Sequence, residues 1–265
     1  MTLTPTDTST WLPLDGLAPG FDANKAEPTH DLDGREFTIV DDSGLRIAHR
    51  FGAGVITWSF PGEHGVDACE VFRVDDDLYY AQFHHRDKSH EAVSLFLDLR
   101  SGRALSVVQT IGDRQPDNTA VAQYFAPSVI EGFEVSGEAA APTTALIGRR
   151  VMWEYSPEHA YEHVYLSPRW YTWQCLAGPE RGLADTDQNH VWQLRPGIYV
   201  FTWREKVIPC ASVTVADHRN ARTIRSHGVL FGLDETGTTP THFTFGAHGR
   251  LISTTVHPDA FDPAA

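Results

Sequence analysis

The chain is short of several things at once. Its three cysteines, Cys69, Cys175 and Cys210, include no C-x-x-C pair, which excludes a disulfide framework and leaves a reducing cytoplasm as the expected compartment. No apolar run reaches the eighteen residues that a membrane-spanning helix needs, so no membrane partner is expected. The first residues, "MTLTPTDTSTWLPLDG", have neither the basic start nor the apolar core of a secretory signal. Basic residues are few: 21 Lys and Arg stand against 35 Asp and Glu, a formal charge of −14. A chain this acidic repels phosphate backbones, so no nucleic-acid partner is expected. There is also no Walker loop, no G-x-G-x-x-G and no G-x-S-x-G, which leaves nucleotide-driven and serine-hydrolase chemistry without support.

What is present is enough apolar material, 41% of 265 residues, for one large or two ordinary domains. The chain also repeats itself. "GREFTIVDDSGLRIAHRF" (34–51) aligns without a gap on "GRRVMWEYSPEHAYEHVY" (148–165), setting His49 against His163 and Phe51 against Tyr165. Further on, "LYYAQF" (78–83) matches "IYVFTW" (198–203), and Asp98-x-Arg100 matches Asp217-x-Arg219. These matches keep their order, as a duplicated domain would. Short aromatic and β-branched runs bounded by Gly, Pro, Asp and Asn make each copy all-β. Closing each sheet would remove its edges, and eight strands leave room for one small ligand. The expected organisation is an N-terminal extension (1–30), a first lipocalin-like antiparallel barrel (31–135) and a second one (146–256). The small-residue stretch "SGEAAAPTTA" (136–145) links them.

"HAYEH" (159–163) has the spacing of an inverted zinc-protease motif. On a helix His159 and His163 would share a face. The first copy, however, has the turn signal Asp42-Ser43-Gly44 where the second has Ser156-Pro157-Glu158, which favours a hairpin. On a strand, residues four apart stand roughly 13 Å from each other, while zinc holds its ligands at about 2 Å. No metal is expected here. A metal-dependent enzyme using His163, His190, His218 or Asp185 is the weaker alternative.

The strand reading assembles a different constellation. Tyr161, His163 and Tyr165 share one face, as do Trp153 and Tyr155 on the strand before. Along "GIYVFTWREKV", Tyr199, Phe201, Trp203 and Glu205 alternate to one side. Aromatic rings in such a row are ordinary core material. A carboxylate among them is not, because burial penalises its charge and raises its pKa into the range useful for proton transfer. The first copy has Gln82-Phe83-His84-His85 opposite Thr202-Trp203-Arg204-Glu205, so the acid belongs to the second copy, the expected working half. His84, His85 and His90 are expected in an exposed loop. "PERGLADTD" (179–187) is expected to be turn-like, with Asp185 and Asp187 solvated.

The stretches "YEHVYLSPRWYTWQCLAGPERGLADTD" (161–187), "LRPGIYVFTWREKVIP" (194–209), "SHGVLFG" (226–232) and "HFTFGAHGRL" (242–251) resemble the MoaF-like family, and the first half is similar to that family's N-terminal domain. "IGRRVMWEYS" (147–156) followed by "GIYVFTWRE" (197–205) is more distantly similar to the phenolic acid decarboxylases, lipocalin-like barrels that work without cofactors. That likeness implies a role in proton transfer for Glu205 and a hydrogen bond from Tyr155. Trp153 stands where that family has a further tyrosine, and Leu183 where it has an arginine.

The resulting expectation is cofactor-free lyase or isomerase chemistry on a small aromatic or conjugated molecule in the second barrel. Glu205 would be the acid and base, Tyr155 and Tyr165 hydrogen-bond donors, and His163 a proton shuttle. Trp153, Tyr161, Tyr171, Trp173, Tyr199, Phe201, Trp203 and Leu183 would hold the ligand. A binder without chemistry is the alternative, and a homodimer is compatible with either.

Overall fold

The computed structural model describes residues 11–114 and 119–264. The first ten residues, part of the N-terminal extension and of the stretch read for a signal, lie outside the described residues. The first barrel consists of β1 (Glu36–Asp41), β2 (Arg46–Gly52), β3 (Val55–Phe60), β4 (Glu63–Asp75), β5 (Leu78–His84), β6 (Glu91–Asp98), β7 (Arg103–Ile111) and β8 (Val121–Ile130). Each strand pairs antiparallel with the next, and β8 closes on β1 with Ile130 opposite Ile39.

A two-residue strand, β9 (Ala141–Pro142), pairs with the fourth strand of the second barrel. That barrel is β10 (Arg149–Ser156), β11 (His159–Tyr165), β12 (Trp170–Ala177), β13 (Ala184–Arg195), β14 (Ile198–Arg204), β15 (Cys210–Asp217), β16 (Ile224–Leu233) and β17 (Pro240–Thr254). It closes between β10 and β17, with Val151 opposite Leu251. The fold is thus two tandem eight-stranded antiparallel barrels, as the repeat implied. No helix runs through 157–167: β10 and β11 form the hairpin, with Ser156 opposite His159 across a bulge.

The barrels pack face to face through their outer surfaces. Phe72, Leu78 and Phe96 of the first meet Val200, Val213 and Val229 of the second in one buried cluster. Residues of β14 are therefore buried on both sides, Val200 toward the neighbour and Phe201 toward its own interior. That double burial explains why "IYVFTW" is apolar throughout rather than alternating. At one end of this contact Arg195 of β13 bridges Asp75 (2.8 Å) and Asp98 (2.7 Å) of the first barrel.

The N-terminal extension crosses to the other barrel. The single turn α1 (Leu14–Leu17) and Phe21 bury Leu14, Leu17 and Phe21 in the interior of the second barrel, not the first. Phe21 lies 4.6 Å from Tyr155 and 5.6 Å from Tyr161 between ring centres. Among the described residues no helix is long and apolar enough to cross a membrane.

Candidate functional site

Strand alternation places the site. Along β14, Tyr199, Phe201 and Trp203 point into the second barrel, and Glu205, the first residue past the strand, continues that face. Its N–H still donates to the Cys210 carbonyl at 3.0 Å, which holds it in the ladder. The carboxyl group is enclosed. Oε1 accepts a hydrogen bond from Trp203 Nε1 at 2.8 Å, and Oε2 has no partner. Burial raises this carboxyl well above the ordinary glutamate range, and the nearby negative charge of Asp187 adds to the rise. Both effects favour the protonated form of Glu205.

Two further carboxyl groups stand at the same end. Asp187 of β13 is wholly buried, accepting from Trp173 Nε1 (3.0 Å) and pairing with Lys206 Nζ (2.8 Å). Glu180, in the β12–β13 connection, accepts from the Tyr161 hydroxyl at 2.9 Å and from the Leu12 N–H at 3.1 Å, and desolvation raises its pKa too. The turn expected of 179–187 holds over 179–182, but 184–187 belong to β13 and the aspartates are not solvated: Asp187 is buried, as is Glu180 in the turn, and Asp185 pairs with Lys206 at 3.0 Å. Lys206 thus answers Asp185 and Asp187, not Glu205.

A cavity of about 50 Å3 opens beside Glu205. It brings together Tyr155, Tyr161, His163, Tyr171, Trp173 and Trp203, and is closed by Leu17 and Phe21. His163 is ringed by Trp203 and Tyr171 at 5.7 and 5.2 Å, its Nδ1 has no partner, and desolvation lowers its pKa to about 3. It is a neutral imidazole. Burial pushes the Tyr155 phenol above its usual range, so it stays a donor.

Not every expected residue reaches this cavity. Trp153, Tyr165, Tyr199 and Phe201 line a much smaller void of about 10 Å3 on the other side of His163. The Trp153 ring lies against Gly249, where a Cβ would meet it at 2.6 Å. Leu183 packs half-buried against the core and lines neither space. Sequence reasoning missed Glu180, Asp187 and the plug. A signal for Asp187 existed: Asp185, Asp187, Asn189 and Val191 alternate along β13. Among the described residues no group of three or more His, Cys, Asp or Glu side chains is arranged to hold a metal ion.

Comparison with known proteins agrees with the two-part architecture. The family model for the MoaF N-terminal domain matches residues 9–113, and that for the MoaF C-terminal domain matches residues 140–255. Protein MoaF of Klebsiella aerogenes is 32% identical over 203 residues, which cover 69% of this chain and 73% of that protein.

Proposed function

We propose that this chain, which belongs to the MoaF family, uses Glu205 in its second barrel for cofactor-free proton transfer on a small aromatic or conjugated molecule, as an isomerase or lyase does. One observation carries the reading: a carboxyl group enclosed in the barrel, where burial favours its protonated form, beside a ring-lined cavity. Such an acid gives its proton to one atom of a conjugated ligand, and the carboxylate so formed removes a proton from another, which restores the acid. Tyr155 lines the cavity, and its hydroxyl would donate to the oxygen on which negative charge develops. His163, being neutral, is placed to orient the ligand rather than to supply a proton.

The cavity lining contains no lysine or arginine. A phenol or ketone end therefore suits the cavity better than a free carboxylate. Entry requires displacement of Leu17 and Phe21, since about 50 Å3 holds little more than water.

A second reading, binding without chemistry, has its own support: neither Tyr155 nor His163 hydrogen-bonds Glu205. An ultraviolet screen of phenolic and keto compounds with the wild type and Glu205→Gln tests both readings. Turnover by the wild type that Glu205→Gln abolishes supports proton transfer. Turnover that survives the substitution removes Glu205 from the chemistry, and ligand binding by both proteins without turnover favours the second reading.

A further inference from the structure

The first barrel holds a counterpart of the Glu205 site that faces a larger space. Strand register makes the two comparable position by position. Trp58 pairs with Gly65, two residues before Asp67, just as Trp173 pairs with Asp185, two residues before Asp187. Phe83 pairs with Cys69, two residues after Asp67, as Trp203 pairs with Asn189, two residues after Asp187. His49 lies opposite Trp58 as His163 lies opposite Trp173. His85 consequently occupies the place of Glu205. It is not on an exposed loop: its side chain is 11% exposed, and its Nδ1 lies 2.9 Å from Asp67 Oδ2.

Asp67 is fixed before any ligand arrives. Its carboxylate accepts from Trp58 Nε1 (2.7 Å) and from the Arg86 N–H (2.9 Å) as well as from His85. The Trp58 ring can lie flat there because Gly65 has no Cβ, which would meet it at 2.5 Å. A neutral His85 that donates Nδ1–H to Asp67 presents Nε2 as an acceptor.

His85 lines a cavity of about 210 Å3 whose walls include Ile39, Ile47, Phe83, Val93 and Val108. The N-terminal segment that plugs the other barrel is absent from this lining, and Leu45 and Tyr124 at its edge are exposed. An apolar cavity of about 150 Å3 accommodates benzene, so this one has room for a single substituted ring. Asp41, Glu63, Glu91 and Lys88 also line it, and Lys88 is paired with Glu63. The excess of acid disfavours an anion at this opening.

We propose that the first barrel is a separate binding site for an uncharged, single-ring molecule that offers an O–H or N–H donor, a phenol for instance, to His85 Nε2, with Asp67 as the positioning residue. This inference does not depend on Glu205.

Calorimetric titration of the full chain with phenol and with benzoate tests it, alongside His85→Phe and the cavity-filling Val108→Trp. The expected result is that the wild type binds one phenol more than Val108→Trp does, that this additional site is weakened about tenfold by loss of one hydrogen bond in His85→Phe, and that benzoate does not fill it. Phenol that does not bind, that binds both variants like the wild type, or that binds no better than benzoate overturns the proposal. Nitrogen-15 spectra of the wild-type histidines avoid any folding defect in the variants. Phenol should move the His85 Nε2 resonance, identified by its loss in His85→Phe, and an unmoved His85 signal contradicts the site.

Discussion

His85 and Glu205 occupy the same position in two copies of one barrel, each the first residue after the fifth strand, each beside a buried aspartate that a tryptophan N–H holds in place. The difference lies in the group that meets the aspartate. His85 hydrogen-bonds Asp67. Glu205 accepts from Trp203, and burial first and the charge of Asp187 second push it toward its protonated form. One scaffold thus presents an acceptor in its first copy and an acid in its second.

Lys206 answers two carboxylates, Asp185 and Asp187, at one barrel end. Lys206→Met would strand the buried Asp187 charge and is expected to lower stability by about 3 kcal/mol, read from urea unfolding. Lys88→Met, which breaks the exposed pair with Glu63, should change stability little. Equal effects of the two would refute the assigned role.

Stability should fall as the solution is acidified below pH 6.5. Burial lowers His49 to about 4, and His84, His163, His218 and His227 to about 3. The unfolded chain takes up those protons near 6.5, so between about pH 6.5 and 4 it binds more protons than the folded chain and is favoured. Glu180 and Glu205 act oppositely. Their raised values add stability as pH falls toward the unfolded glutamate range, but two carboxyls oppose five imidazoles. Urea midpoints at pH 7.5, 6 and 5 should therefore decrease in that order.

The plug should be separable from the barrel. Phe21→Ala removes a ring packed against Tyr155 and Tyr161 and is expected to cost about 3 kcal/mol. It should also speed ligand entry to the second barrel. An unchanged unfolding midpoint would show that the N-terminal segment is not seated there in solution.

Much of this architecture could be read from the chain, for reasons that lie in particular residues. The gap-free match of 34–51 to 148–165 identified both copies, and period-two alternation put Trp203 and Glu205 on one inner face. Asp187 escaped because "LADTDQNH" is rich in turn-forming residues, whereas its burial depends on Trp173 and Lys206, distant in sequence. His85 was misread for the same reason: Asp67, which holds it, lies on another strand. The plug was invisible because Leu14, Leu17 and Phe21 belong by sequence to one barrel and by packing to the other.

The protonation of Glu205 tests the account most directly. Carbon-13 spectra of side-chain-labelled glutamate, assigned by the signal missing in Glu205→Gln, should show this carboxyl still protonated at pH 7. A Glu205 signal that is ionised at pH 7 and titrates near 4.5, like an ordinary glutamate, would contradict it.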